Sequence, residues 1–152
     1  MQLTLISGMS GSGKSIALNV LEDAGYYCVD NLPVPLLLQL VEKLRSEGSE
    51  RVAVAMDMRG GASFTVLPAQ LIALRNHDVE ISFIFLDARD DVLIQRFSET
   101  RRRHPLADQT TTLAEAIALE REALAAIVGL GHRIDTSNLL PSMLRGFVRD
   151  FV

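Results

Sequence analysis

The chain has 152 residues, of which 48% are apolar and 22% are charged, a composition typical of one globular domain. Its formal net charge of −4 argues against a general nucleic-acid binder, because such binding depends on a basic face that neutralises phosphates. No apolar run approaches the ~20 residues of a membrane-spanning helix, and no signal-peptide pattern is present. The single cysteine, Cys28, excludes an internal disulfide and is expected to be a buried, reduced thiol. We therefore expect a cytoplasmic protein without membrane partners.

Short apolar runs alternate along the chain with stretches of helical spacing, the pattern of a parallel sheet covered by helices on both faces. Five runs have the length and composition of buried strands: residues 3–7, 26–30, 51–57, 81–87 and 133–137. Apolar residues at helical spacing predict helices over residues 17–24, 37–44, 93–97, 113–128 and 140–151. We predict an α/β, three-layer P-loop NTPase fold with five parallel strands, in the order 2-3-1-4-5 by analogy with nucleotide kinases.

The sequence GMSGSGKS, residues 8–15, directly follows the first predicted strand and matches the G-x-x-x-x-G-K-[ST] pattern of a phosphate-binding loop. Glycines allow backbone N–H groups to approach a polyphosphate, and the N-terminus of the following helix adds a favourable dipole. Lys14 is expected to reach the β and γ phosphates as a catalytic group, and the Ser15 hydroxyl to bind Mg²⁺. The predicted nucleotide-binding residues of this glycine-rich loop are Gly8, Met9, Ser10, Gly11, Ser12, Gly13, Lys14 and Ser15.

Magnesium bound to a nucleotide is expected to need a second protein ligand, a carboxylate that ends a neighbouring strand. Asp57 and Asp87 each close an apolar run. Asp57 precedes a turn, which favours it as the Mg²⁺ ligand and a catalytic residue over a plain turn-forming role. Asp87 precedes a predicted helix, which favours an N-cap. The histidines show no metal-ligand spacing, so surface positions are expected for His77, His104 and His132.

Asp30 ends the second predicted strand, at the sheet edge where parallel α/β proteins bind ligands. The sequence leaves two roles open for its carboxylate. It accepts the hydroxyl proton of a phosphoryl acceptor, or it caps the helix that the chain enters through Pro33 and Pro35.

Three consecutive arginines, Arg101, Arg102 and Arg103, lie in the sequence SETRRRHPL between two predicted helices. Guanidinium groups match phosphate oxygens in a bidentate manner, so we predict that these side chains form a lid over bound phosphates. The alternative is a solvated basic helix end that interacts with the C-terminal dipole of its own helix.

Four sequences together resemble the N-terminal domains of the RapZ family of RNase adapters and its related bacterial P-loop nucleotide-binding proteins: SGMSGSGKS, LEDAGYYCVDNLP, SETRRRHPL and DTSN. The resemblance extends over residues 1–152. It implies binding and hydrolysis of ATP and GTP, with residues 8–15 as the first nucleotide motif. It also implies a second, short motif, which the family assigns to GTP: Asp57, Met58, Arg59 and Gly60.

The resemblance further implies a second domain, which in the enterobacterial members binds small regulatory RNAs and an amino-sugar phosphate. The apolar stripe of the last predicted helix runs to Phe151 and Val152 without a polar tail, so we expect this domain to be the N-terminal part of a longer chain. RNA is then expected to bind the second domain, and homo-oligomerisation of the full-length protein is left open.

These expectations combine into a regulatory domain that binds Mg-ATP and Mg-GTP and hydrolyses them slowly, because no residue in the sequence clearly activates water. The alternative is a small-molecule kinase in which Asp30 is the base and the arginines close over a bound acceptor.

Overall fold

The computed structural model describes residues 1–56, 65–100, 103–108 and 110–152. The strands are β1 (Gln2–Gly8), β2 (Tyr27–Val29), β3 (Arg51–Ala55), β4 (Glu80–Asp87) and β5 (His132–Asp135). The helices are α1 (Lys14–Asp23), α2 (Leu37–Ser46), α3 (Leu67–Arg75), α4 (Asp90–Thr100), α5 (Leu113–Leu124) and α6 (Pro141–Phe151). No helix within the described ranges is both long and apolar enough to cross a membrane.

The five strands form one parallel sheet in the order β2-β3-β1-β4-β5, which confirms the predicted class and strand order. β1 is central, and its Ile6 lies opposite Ala55 of β3 and Ile84 of β4. The strands β1 and β3 are buried along nearly their whole length because both of their faces are covered. Gly8 pairs with Leu86, so the carboxyl ends of β1 and β4 lie side by side.

Side chains that alternate along the strands pack into two separate cores. On one face, Leu5 and Phe85 are fully buried against residues of α2, α3, α4 and α5. On the other face, Ile6 and Ile84 pack against α1 and α6. This alternation of side chains between the faces produces the three predicted layers.

Two helices differ from the predictions. The helix α3 was not predicted, because its sequence LPAQLIALR is apolar around most of its circumference and shows little helical periodicity. The helix predicted over residues 113–128 ends earlier, at Leu124, and a short 3-10 turn follows at Val128–Leu130. Gly129 lies within this turn, and glycine disfavours continuation of an α-helix.

Cys28, in β2, is half-buried rather than buried, and its Sγ lies 3.6 Å from the carbonyl oxygens of Leu18 and Tyr26. Burial, together with the nearby Glu22 carboxylate, raises the pKa of the thiol to about 11. Because the thiolate is the reactive form, we expect Cys28 to react with iodoacetamide at pH 8 at least about tenfold more slowly in the folded chain than in urea. Mass spectrometry of quenched time points measures both rates, and equal rates would contradict this assignment.

Candidate nucleotide-binding site

The glycine-rich loop joins the end of β1 to the start of α1. Gly8, Gly11 and Gly13 have φ angles of 146°, 84° and 110°, a region that other residues rarely adopt. A Cβ atom added at Gly8 would lie 2.1 Å from the carbonyl oxygen of Leu86, and one added at Gly13 would lie 2.5 Å from the Leu144 side chain. The backbone of β4 therefore requires a glycine at position 8, and the positive φ angles favour glycine at all three positions, in addition to the predicted approach of a phosphate.

Hydrogen bonds within the glycine-rich loop hold it in a closed turn. The buried Ser12 directs both its hydroxyl and its N–H to the carbonyl oxygen of Met9, at 2.5 and 3.0 Å. Lys14 Nζ donates to the carbonyl oxygens of Gly8 and Met9, at 2.9 and 3.3 Å. The Lys14 ammonium group therefore lies over the start of the loop, beside its backbone.

Three backbone N–H groups of the glycine-rich loop have no acceptor among the described residues. Within the part of the chain that the structure describes, no acceptor bonds to the N–H of Gly11, Gly13 or Ser15. These groups surround the N-terminus of α1, whose first turn contains no acidic residue. Unpaired N–H groups and the positive end of a helix dipole together favour an anion.

The glycine-rich loop opens into a cavity of about 1030 Å³ at the carboxyl edge of the sheet, a volume at the upper end of the range for small-molecule sites. Asp30 and Asn31 line one part of the wall, and Phe97 and Arg103 line another. The cavity thus brings together three features that the sequence analysis predicted from separate segments: the loop, Asp30 and one arginine of the proposed lid.

Asp30 does not act as a helix cap. Its Oδ1 accepts a hydrogen bond from the Asn31 N–H at 2.8 Å. The 3-10 turn Val34–Leu36 begins after Pro33 and has no side-chain cap, and neither has α2. The capping alternative for Asp30 is therefore wrong, and its carboxylate lies at the cavity.

Arg103 is exposed at the cavity wall, and its Nε donates to the carbonyl oxygen of Ala107 at 3.1 Å. The remaining predicted site residues lie outside the described residues: Asp57, Met58, Arg59, Gly60, Arg101 and Arg102. Their predicted roles as a Mg²⁺ ligand, a second nucleotide motif and a phosphate lid stay predictions.

Arg96 of α4 connects the glycine-rich loop to the segment between β5 and α6, a contact that the sequence analysis did not predict. Its guanidinium donates to the Gly11 carbonyl at 3.0 Å, and to the hydroxyl and the carbonyl of Thr136. The hydroxyl of the buried Thr136 lies 2.8 Å from the Ser12 carbonyl. In the sequence, Arg96 is one polar residue of an amphipathic helix, so its spacing carries no sign of this role.

Glu120 and His104 form a buried cluster with Ser10 of the glycine-rich loop. The Ser10 N–H and hydroxyl donate to the two Glu120 carboxylate oxygens at 2.8 and 2.6 Å, and His104 Nε2 lies 3.2 Å from Oε1. His104 is only 2% exposed, so the expected surface position was wrong for this residue. The position of Glu120 on the apolar face of α5 was the sign that the sequence analysis missed. The other two histidines are exposed, as expected: His77 and His132.

Asp87 binds two arginines at the end of β4. Its oxygens accept hydrogen bonds from Arg121 at 2.9 Å and Arg133 at 2.8 Å, and Oδ1 also accepts from the Ala88 N–H. Burial alone raises the pKa of this carboxyl group, but the hydrogen bonds from Arg133, Arg121 and Ala88 outweigh burial and lower the pKa below the ordinary 3.8. Because α4 begins only at Asp90, Asp87 does not have the favoured N-cap role, and its oxygens are engaged by arginines rather than available to Mg²⁺.

The substitution Asp87→Asn is expected to lower the free energy of unfolding at pH 7 by about 2 kcal/mol, because an amide cannot accept from both guanidinium groups. Folding lowers the pKa of Asp87. The contribution of the Asp87 carboxylate to the free energy of unfolding is therefore fully present above the ordinary pKa of 3.8, and it is lost as the pH falls through the pKa of the folded state. Urea unfolding of both proteins at pH 7 and in acid measures this difference. A difference that stays constant into acid would contradict the assignment, and the exposed Asp91→Asn is the control.

The site contains few candidate metal ligands. Among the described residues, no group of three or more histidine, cysteine, aspartate or glutamate side chains is placed to hold a metal. Ser15 lies at the cavity, at the first turn of α1. Mg²⁺ is usually bound by one or two protein oxygens together with the phosphates of the substrate. A single hydroxyl at this position is therefore suited to bind Mg²⁺ that enters together with a nucleotide.

The solved structures that share this architecture include a sugar kinase and a shikimate kinase. A sugar kinase from Janibacter sp. aligns with a TM-score of 0.63 and 14% sequence identity, over 99% of this chain and 94% of that chain. A shikimate kinase from Bacteroides thetaiotaomicron aligns with a TM-score of 0.60 and 15% identity, over 97% of this chain and 94% of that chain. At such identities the likeness shows the fold alone, that of an α/β domain with a five-stranded parallel sheet in the order β2-β3-β1-β4-β5.

The sequence identifies the family. Residues 1–152 match the RapZ-like N-terminal domain, and the chain belongs to this family. A nucleotide-binding protein of Azoarcus sp. is 62% identical over 152 residues, which cover all of this chain and 52% of that protein. A nucleotide-binding protein of Nitrosomonas europaea is 60% identical over the same length, again with 52% of that protein covered. The chain therefore spans about half the length of the curated relatives that it matches.

Proposed function

We propose that this domain binds nucleoside triphosphates, ATP and GTP, with their phosphates on the glycine-rich loop. The observation that carries the proposal is the set of unpaired N–H groups of Gly11, Gly13 and Ser15, which face a cavity large enough for a nucleotide. The Lys14 ammonium group lies on the same loop and supplies the positive charge that the phosphates require. The names of the curated relatives, which are nucleotide-binding proteins, support the same conclusion.

Magnesium would enter with the nucleotide, held by the Ser15 hydroxyl and, on our sequence prediction, by Asp57. When bound, the ion neutralises charge on the β and γ phosphates. Asp87 is not proposed as a ligand, since both of its oxygens already bind guanidinium groups.

Slow hydrolysis is proposed because Glu120, the carboxylate that bonds to the glycine-rich loop, accepts three hydrogen bonds and is fully buried, so it is not available to activate water. Slow turnover suits a cytoplasmic regulatory domain whose bound nucleotide is a signal. In this proposal RNA binds the other half of a longer, RapZ-like adapter, because the net charge of −4 does not suit this domain to RNA.

Calorimetric titration of the domain with ATP and with GTP, each with and without Mg²⁺, tests the proposal. We expect saturable binding of both nucleotides, tighter with Mg²⁺, and phosphate release well below the 1 to 10³ s⁻¹ of typical enzymes. Absence of binding at millimolar nucleotide would contradict the proposed function, and rapid phosphate release would contradict the regulatory role.

A small-molecule kinase is the second candidate, and the position of Asp30 favours it. This carboxylate is exposed at the wall of the cavity that contains the glycine-rich loop, where it is able to accept a hydroxyl proton. Incubation with γ-labelled ATP and a metabolite extract separates the candidates. A labelled metabolite that is lost in Asp30→Asn supports the kinase, whereas label that is released only as inorganic phosphate contradicts it.

A further inference from the structure

Three separate segments of the chain meet at one buried carboxylate. Glu120 projects from α5, and its side chain is 0% exposed. It bonds to Ser10 of the glycine-rich loop, 110 residues away, and to His104, 16 residues away. His104 belongs to the segment of residues 103–108, here called the arginine segment. A buried carboxylate is costly, and an apolar side chain would pack α5 at a lower cost, so the contacts of Glu120 point to a role beyond packing.

The hydrogen bonds define the protonation of the cluster. The Leu106 N–H donates to His104 Nδ1 at 3.0 Å, so Nδ1 carries no proton. His104 is therefore the neutral tautomer with its proton on Nε2, where it donates to Glu120. The Glu120 carboxylate accepts from three donors: the Ser10 N–H, the Ser10 hydroxyl and His104 Nε2.

The same cluster holds the cavity wall in place. Arg103 and Pro105, on either side of the buried His104, both line the cavity. The ring of Phe97 lies 5.3 Å from the His104 ring, and its Cε2 atom would be 3.2 Å from a Cβ added at Gly11. His104 is thus connected to the glycine-rich loop both through Glu120 and through Phe97, and it directly follows Arg103 in the chain.

We propose that Glu120 is a positioning residue that couples the glycine-rich loop to the arginine segment, so that Arg103 is held where it strengthens nucleotide binding. This inference rests on the proposed function, because it concerns the affinity for a nucleotide on the loop. It assigns Glu120 no contact with the nucleotide. Its action is transmitted through Ser10 on one side and His104 on the other.

The test is a double-mutant cycle on the affinity for Mg-ATP. In the wild type, Arg103→Ala is expected to weaken binding about fivefold to tenfold, the effect of a charged contact at the rim of a site. In Glu120→Ala, the same substitution is expected to weaken binding less than about twofold, because Arg103 is no longer held against the ligand. In Glu120→Gln, the full effect of Arg103→Ala is expected to return, since the amide oxygen accepts from Ser10 and His104 and the amide N–H donates to the Ser10 hydroxyl.

Two further variants serve as a control for the double-mutant cycle and as a replacement for a variant that does not fold. Glu122→Ala, on the exposed face of the same helix, is the control and is expected to leave the effect of Arg103→Ala unchanged. His104→Ala removes the contact between Glu120 and the arginine segment, together with the ring contact to Phe97, and it replaces Glu120→Ala in the cycle if circular dichroism shows that the latter does not fold. An equal effect of Arg103→Ala in every background, or no effect in the wild type, would overturn the inference while leaving nucleotide binding intact. A wild type that binds no ATP would instead contradict the proposed function, and with it this inference.

Discussion

Replacement of Gly8 by alanine is expected to lower the free energy of unfolding by at least about 3 kcal/mol. Two costs add: a left-handed φ costs a residue with a Cβ about 1 to 2 kcal/mol, and overpacking adds about 1 to 3 kcal/mol. The second cost is large here because the new Cβ would lie 2.1 Å from the Leu86 carbonyl oxygen. That oxygen belongs to the backbone of β4, pairs with Met9 at 3.0 Å, and cannot rotate away as a side chain does.

The matched control for Gly8→Ala is Gly48→Ala. Gly48 has a φ of +84° but no atom within 4 Å of an added Cβ, so only the conformational cost of about 1 to 2 kcal/mol remains. Urea unfolding monitored by circular dichroism measures both changes. Equal losses for the two variants would show that β4 does not confine Gly8 as described.

Replacement of Lys14 by alanine is expected to weaken the binding of Mg-ATP by about 10- to 150-fold. A hydrogen bond to a charged group contributes about 1.5 to 3 kcal/mol, and each 1.4 kcal/mol is a factor of ten in affinity. Lys14 lies on the glycine-rich loop, with its ammonium group at the Gly8 and Met9 carbonyls. Phosphate oxygens would compete for this ammonium group and bind it more strongly than neutral carbonyls do.

Lys43→Ala is the control for Lys14→Ala. It also removes one ammonium group, but this group pairs with Glu47 at 3.0 Å on the exposed surface of α2, so a change in ATP affinity of less than about twofold is expected. Fluorescence titration with a labelled ATP analogue measures both affinities. Equal ATP affinities for Lys14→Ala and the wild type would show that Lys14 does not contribute to nucleotide binding.

The fold and the glycine-rich loop were predictable because their signals are local. A strand, the loop sequence GMSGSGKS and a helix follow one another without interruption, and apolar runs alternating with amphipathic stretches restrict the architecture to a parallel sheet with helices on both faces. The helix α3 lacked such a signal, since a helix that is apolar around most of its surface has no clear period.

The contacts between distant segments were not predictable in the same way. Asp87 binds Arg121 and Arg133, which lie 34 and 46 residues further along the chain, and nothing in the sequence pairs these charges. The position of Glu120 in the sequence did indicate a buried contact, because a carboxylate on the apolar face of a helix needs buried hydrogen-bond donors. Its partners, however, depend on how α5 packs against the loop, which is a property of the folded chain.

Nucleotide binding is proposed to depend most on the N–H groups of Gly11, Gly13 and Ser15, and amide NMR of these residues tests this dependence most directly. During a titration with Mg-ATP, we predict that the three amide proton resonances shift downfield together and saturate with one shared dissociation constant, as N–H groups that acquire a phosphate acceptor should. Resonances that stay in place while ATP binds elsewhere, or that do not respond to ATP at any concentration, would contradict the account.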